Sequence, residues 1–153
     1  MPFRLQIPRT LYDRMLFQAA AELPNECCGL LAGLVVGEDT ALPEKRLGKV
    51  EQCYPLANAA ASPVEYLSEP RAMFDAVRDM RRRGIDVLAV YHSHPTSDPV
   101  PSRTDLQRNY SPDVINLIIS LKAALPVVRG WWLTDHDFRE AQWECAEGLA
   151  EPR

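Results

Sequence analysis

Two stretches of the chain repeat their apolar residues at helical intervals. In residues 11–22 the recurring positions are Leu11, Met15 and Ala19, and Pro24 ends the pattern. The second stretch is residues 69–83, and Ser68 just before it is the expected N-terminal cap. Its apolar face comprises Met73, Phe74, Val77 and Met80. The spacing predicts two amphipathic helices.

Other apolar runs are short and bounded by turn residues, which is typical of strands. The predicted strands are residues 26–36, 50–56, 87–92, 114–121, 127–133 and 138–145. Residues 37–45 are polar and are expected to form an exposed hairpin loop, and the last two strands are expected to pair around the turn at residues 135–137. Strands interspersed with helices predict an α/β protein, with a mixed sheet and helices packed on it.

Composition narrows the class of protein. A chain of 153 residues is most simply one domain, residues 1–153, and its net charge of -4 argues against a protein built to hold nucleic acid. No apolar stretch is long enough to span a bilayer, and the N-terminus lacks the apolar core of a secretory signal. The four cysteines form no C-x-x-C pair. The expected location is therefore the reducing cytoplasm.

The candidate chemistry lies just after the strand at residues 87–92. His92 and His94 are two residues apart, a spacing that places both imidazoles on one face of an extended chain. A proline-rich loop follows, and Ser102 and Asp105 then open a short predicted helix. Two histidines and a returning carboxylate match a catalytic zinc site, which uses three protein ligands and keeps one position open.

Several of these residues have an ordinary structural alternative. Ser102 and Asp105 also fit a helix capping box, in which both side chains bond backbone amides. His136 is expected to be a structural residue of its turn. The run 81–83 is expected to be a solvated last turn before Gly84 rather than an anion site, because basic residues complement the carboxyl end of a helix.

Hydrolysis at a metal also needs a general base, for which Glu26 is the best candidate. It stands at the edge of an apolar strand, where an unpaired carboxylate is out of place, although a solvated loop residue is the alternative. Cys27 and Cys28 follow it and could suggest a cysteine hydrolase. A catalytic thiol needs an exposed, electropositive setting, so inert packing is expected for both.

These segments resemble the JAMM/MPN+ zinc metalloprotease family. Its motif is a distant glutamate followed by His-x-His, seven residues, Ser, two residues and Asp, which this chain matches at Glu26, His92, His94, Ser102 and Asp105. The resemblance implies the MPN (JAB-type) fold, a curved mixed sheet flanked by helices and related to cytidine deaminases. The deaminase signature itself is absent.

The resemblance also implies a mechanism. One catalytic zinc ion would be held by His92, His94 and Asp105, with Glu26 as general base and Ser102 as donor to the oxyanion. No residue is expected to bind another cofactor.

The chain looks most similar to the minimal bacterial members of this family. They process ubiquitin-like sulfur-carrier proteins, so the implied substrate carries a C-terminal Gly-Gly. Residues Asn58, Ser62, Pro63 and Tyr66 also resemble the connection found in those members, although the sequence assigns them no chemical role. The alternatives are a cell-wall or phage-tail peptidase and a non-catalytic MPN scaffold, and the oligomeric state is left open.

Overall fold

The computed structural model describes residues 2–37 and 45–147. Within these ranges the elements, in chain order, are β1 (Arg4–Pro8), α1 (Arg9–Ala21), β2 (Cys28–Val36), β3 (Leu47–Leu56), α2 (Pro70–Arg83), β4 (Asp86–His94), α3 (Arg103–Gln107), β5 (Ile115–Ser120), β6 (Val127–Leu133), β7 (Phe138–Ala141) and β8 (Trp143–Ala146). None of the helices described has the length and apolar character that crossing a membrane requires.

All eight strands join one mixed sheet in the order β7-β6-β5-β4-β2-β3-β1-β8. β4 runs parallel to β5, and β1 runs parallel to both β3 and β8, whereas the other pairs are antiparallel. The two outermost strands, β7 and β8, are separated in the chain by Gln142 alone. The sheet is therefore nearly closed into a barrel-like curve, which confirms the predicted fold class.

Helices cover both faces of this sheet. On one face Met15 and Ala19 of α1 pack into the largest apolar cluster, and on the other Ala76 and Met80 of α2 pack against β2 and β4. A smaller third cluster seats the loop before α3 and α3 itself on the sheet, through Val100, Leu106, Ile118, Trp131 and Leu133. Fully burying one such large apolar side chain stabilises a fold by roughly 1.5–3 kcal/mol.

Both predicted long helices are present, with two corrections to the second. Its cap is Glu69 rather than Ser68, because the Glu69 carboxylate accepts hydrogen bonds from the Arg71 and Ala72 amides. Phe74 is 57% exposed and does not belong to the buried face. That face is defined by Ala76 and Met80, and a residue two positions before Ala76 points roughly 200° away around the helix.

One strand prediction is wrong, and one strand is present that the sequence pattern did not predict. Residues 138–145 do not form one strand, because the chain leaves β6 after Ala141 and pairs instead with β1 as β8. The missed strand is β1, whose short alternating pattern buries Leu5 and Ile7. β2 and β3 pair as the predicted hairpin requires. Most of their connecting loop, residues 38–44, lies outside the described residues.

Two glycines of β2 allow neighbouring groups to approach closely. A Cβ at Gly29 would lie 2.2 Å from the ring of Tyr91, and one at Gly33 would lie 1.9 Å from the Lys49 carbonyl oxygen. The pairing of β2 with β3 also shifts register between Ala32 and Gly33. Glycine is therefore required where β2 meets β3 this closely.

Replacing Gly33 with alanine is expected to lower the free energy of unfolding by roughly 1–3 kcal/mol, because backbone atoms must move to admit the methyl group. Urea unfolding followed by circular dichroism measures the change. The control is Glu51→Ala on the neighbouring strand, where the side chain is exposed and the expected change is within about 0.5 kcal/mol. Equal stabilities of the two variants would contradict this account of Gly33.

Candidate active site

The two histidines of the motif lie at the carboxyl end of β4, in the interior of the sheet. His92 pairs with Cys28 of β2 on one side and with Ile118 of β5 on the other. Only 1% of His92 and 4% of His94 is exposed. β4 extends to His94, two residues beyond the predicted strand, so both imidazoles project from the same face and Ser93 projects from the other.

His92, His94 and Asp105 form a compact group of three candidate metal ligands. The two histidine Nε2 atoms are 3.2 Å apart, and each lies 3.2 Å from one carboxylate oxygen of Asp105. Ligand atoms held at about 2.05 Å around a tetrahedral ion lie about 3.3 Å from one another. The three side chains can therefore occupy three corners of a tetrahedral site and leave the fourth for water or substrate.

The two imidazoles are oriented in different ways. The Nδ1 of His94 bonds the Asp98 carbonyl oxygen at 2.8 Å, which leaves Nε2 to face the group. The Nδ1 of His92 is buried without a hydrogen-bond partner. Instead the ring of Tyr66 stacks on His92, with centroids 4.7 Å apart and planes at 25°. Packing therefore orients His92 where a hydrogen bond orients His94.

The loop between His94 and Ser102 is anchored by side chains from neighbouring strands. Three successive carbonyl oxygens of this loop accept hydrogen bonds from side chains. The Ser97 carbonyl accepts from Ser120 Oγ at 2.6 Å, and the Pro99 carbonyl accepts from Trp131 Nε1 at 2.9 Å. Between them, the Asp98 carbonyl bonds His94 Nδ1 at 2.8 Å. The donors from β5 and β6 belong to the rigid sheet. They hold the loop that brings Asp105 back to the histidines.

Asp105 takes part in both the capping box and the ligand group. Its Oδ2 accepts a hydrogen bond from the Ser102 amide at 2.9 Å, and its own amide donates to Ser102 Oγ at 3.1 Å. Burial alone would raise the pKa of Asp105, but hydrogen bonds from His92 and His94 outweigh it and hold that pKa well below its usual range. The carboxylate is therefore charged and faces both imidazoles, as a metal ligand must.

Glu26 is a buried carboxylate that interacts electrostatically with His94 and Asp105 of this group. It is 4% exposed, and its Oε1 has no hydrogen-bond partner. Burial raises the pKa of Glu26 to about 8, although attraction to His94 opposes the rise. Buried carboxylate oxygens without a partner are rare, and a strongly raised pKa is typical of residues at functional sites.

Ser93, the middle residue of His-x-His, ties β4 to the segment that carries Glu26. Its hydroxyl accepts a hydrogen bond from the Cys27 amide at 2.8 Å, and its own amide donates to the Cys27 carbonyl at 3.1 Å. Ser93 is fully buried. These two bonds fix the residue after Glu26 directly beside the histidine pair.

The remaining candidates lie apart from this chemistry. Burial raises the pKa of both Cys27 and Cys28 to about 12, so these thiols are inert as expected. Arg82 and Arg83 pair with Asp79 on the surface of α2, which agrees with a solvated last turn. His136 is exposed on the turn between β6 and β7 and faces Asp135.

Several residues of the site were not identified from the sequence. Ser93, Ser120 and Trp131 act through hydrogen bonds to backbone atoms of distant segments, and no local pattern announces such contacts. The sequence pattern assigns Tyr66 no chemical role, whereas in the structure its ring stacks on His92.

Comparisons with known proteins agree with this geometry. The family described as "Prokaryotic homologs of the JAB domain" matches residues 8–134. A desampylase from Haloferax volcanii is 35% identical over 80% of this chain and 79% of its own. A CysO-cysteine peptidase from Mycobacterium tuberculosis is 30% identical over 77% of this chain and 74% of its own length. A solution structure of a protein from Desulfitobacterium hafniense superposes with a TM-score of 0.81 at 33% identity, over 95% of each chain.

Replacing Trp131 with phenylalanine is expected to weaken metal binding about tenfold, because the Pro99 carbonyl loses its donor and the Asp105 loop loosens. The dissociation constant for zinc, measured by competition with a chromophoric chelator, reports the change. Trp132→Phe is the control, since Trp132 is also buried but packs edge-on against Phe3. Its expected change is less than twofold, and equal weakening in both variants would contradict the role of Trp131.

Proposed function

The chain belongs to the family of prokaryotic homologs of the JAB domain, and from this premise we propose that it is a zinc-dependent peptidase. Its proposed reaction is hydrolysis of the amide bond that follows the C-terminal Gly-Gly of a ubiquitin-like or sulfur-carrier protein. The observation that carries the proposal is the buried carboxylate of Glu26, unpaired at Oε1, beside three ligand atoms spaced for one tetrahedral ion.

Zinc is the metal that best suits this donor set. Two imidazole nitrogens and one carboxylate oxygen are ordinary zinc ligands, and three protein ligands with one open position are typical of catalytic sites. Softer metals favour thiolates, and calcium favours an all-oxygen shell. His92, His94 and Asp105 would hold the ion, which when bound supplies a Lewis acid that lowers the pKa of water from about 15.7 to about 7.

Glu26 is the proposed general base. Its raised pKa of about 8 lies near neutrality, where a carboxylate can both accept and return a proton. It would take a proton from the attacking water and then pass it to the leaving amine.

Ser102 is the proposed donor to the oxyanion of the tetrahedral intermediate. Its hydroxyl oxygen already accepts the Asp105 amide, a bond that uses a lone pair and leaves the hydroxyl proton for a substrate oxygen. Ser102 is exposed to solvent, which suits a group that must meet substrate. Loss of such a donor typically costs about 10²–10³ in rate.

The proposed substrate class draws on the names of the relatives and on the burial of the site. The mycobacterial relative is named for a conjugate of CysO with cysteine, so a carrier bearing a short adduct is the simplest substrate to propose. Glycines at the cleavage site let the substrate backbone approach a buried centre closely. The four thiols are free, which fits the cytoplasmic location that we propose.

Glu26→Gln is expected to lower kcat by about 10²–10⁴ while zinc stays bound, because the amide keeps the shape of the side chain and removes the base. Zinc content is measured by atomic emission alongside the rate. His94→Ala is the matched comparison and should lose both zinc and activity. Loss of zinc from Glu26→Gln would assign Glu26 a ligand or structural role instead.

The substrate class is tested with ubiquitin-like carriers that end in Gly-Gly-Cys or Gly-Gly followed by a short peptide. Intact mass should show release of the adduct after the second glycine. Carriers with valine at both glycine positions should not be cleaved. The free tail peptide should react with a lower kcat/KM, because it lacks the binding energy of the folded carrier. Faster cleavage of cell-wall peptides would favour the cell-wall or phage-tail alternative.

A further inference from the structure

The segment between β3 and α2 forms a closed loop beside the active site. Asn58 and Ser68 form an isolated bridge at its neck. The Ala59 amide donates to the Leu67 carbonyl at 2.7 Å, and the Glu69 amide donates to the Ala57 carbonyl at 3.0 Å. Residues 58–68 therefore leave the sheet and return to the same point, as in a compact Ω-loop.

The Asn58 carboxamide organises this loop from within. Its Oδ1 accepts hydrogen bonds from the amides of Ala60 (3.0 Å) and Leu67 (2.9 Å). Its Nδ2 donates to the carbonyl oxygens of Glu65 (3.1 Å) and Glu26 (3.0 Å). Both donors and both acceptors of the side chain are therefore used, and the bond to Glu26 is the one of these four that leaves the loop.

The same loop holds Glu26 from the other side. The Glu26 amide donates to the Ser62 carbonyl at 2.8 Å, so the loop binds both the N–H and the C=O of this residue. Because Oε1 of Glu26 has no partner of its own, the position of its carboxylate depends strongly on where its backbone is held.

We propose that Asn58 is a positioning residue for Glu26, acting through the hydrogen bond from its carboxamide to the Glu26 carbonyl. The proposal rests on Glu26 as the general base of the proposed function. It also explains why an amide stands at this position. Aspartate would keep an oxygen that accepts both loop amides. Its second oxygen, however, would face the carbonyls of Glu65 and Glu26 in place of a donor.

The loop has a second contact with the site that the same carboxamide supports. Tyr66, whose ring stacks on His92, lies between the two residues that Asn58 bonds at Glu65 and Leu67. The Asn58 side chain thus holds both the backbone of Glu26 and the segment that carries Tyr66, whose ring packs on His92.

The test compares Asn58→Asp and Asn58→Ala with Val64→Ala in the zinc-loaded protein. Val64→Ala is a matched control in the same loop, because its side chain is 74% exposed and its truncation keeps every backbone bond that holds Glu26. Hydrogen exchange of the Glu26 amide, followed by NMR, reads its positioning without any substrate. Zinc content, kcat and KM are measured on the Gly-Gly-Cys carrier.

Both Asn58 variants are expected to speed exchange of the Glu26 amide at least tenfold. They should lower kcat about 10- to 100-fold, with KM and zinc content within about twofold of the wild type. Val64→Ala should leave all four quantities within about twofold. The neutral alanine variant separates loss of the donor from addition of a charge, and it serves alone if the aspartate variant does not fold.

A double-mutant cycle decides whether Asn58 acts through Glu26. In the Glu26→Gln background, Asn58→Ala should cost less than about twofold more in kcat, because the group that it positions is already gone. Unchanged exchange at Glu26, or a full further loss of kcat in that background, would overturn the proposal. If the wild type cleaves no carrier, the proposed function fails by itself, and the exchange data still decide the positioning.

Discussion

The active site depends on the burial of four titratable side chains at the carboxyl end of β4 and the segment facing it. Removing charges from water is costly unless they are paired or bind a metal. Asp105 meets this cost with hydrogen bonds from two histidines, which hold its pKa well below the usual range. Glu26 does not, and burial raises its pKa to about 8. Two carboxylates in one small region thus differ in pKa because their surroundings differ, an arrangement typical of sites of acid and base chemistry.

The sheet supplies the rigidity that this arrangement needs. β4 lies in the interior of the sheet between β2 and β5, so the histidines cannot move without disturbing two ladders of backbone hydrogen bonds. Ser93 extends the link to Cys27, and Trp131 and Ser120 extend it to the loop after His94. Side chains held by regular elements are placed more accurately than side chains on free loops. The loop segments that carry Glu26 and Asp105 are therefore also hydrogen-bonded to strands of the sheet.

Asp105 shows how one side chain can satisfy a local rule and a distant one together. As the third residue of a capping box it bonds the Ser102 amide, and the same oxygen faces His94. The capping box explains why the short helix α3 begins where it does. The position of α3 on the sheet comes from Val100 and Leu106, which pack against Ile118, Trp131 and Leu133. The structural and functional interpretations of Ser102 and Asp105 are compatible rather than exclusive.

The sequence by itself determined the elements with strong periodicity and the chemistry carried by short spacing. Both long helices, most strands and the grouping of His92, His94 and Asp105 followed from patterns within about 15 residues. Only the tertiary structure decided the rest, because which strands pair and which distant groups form hydrogen bonds does not depend on the local sequence alone. An alternating pattern marked residues 138–145 as extended, yet it could not show that pairing changes from β6 to β1 at Gln142. In the same way, Asn58 and Trp131 act on backbone atoms 32 residues away in the chain, and folding alone brings those atoms within reach.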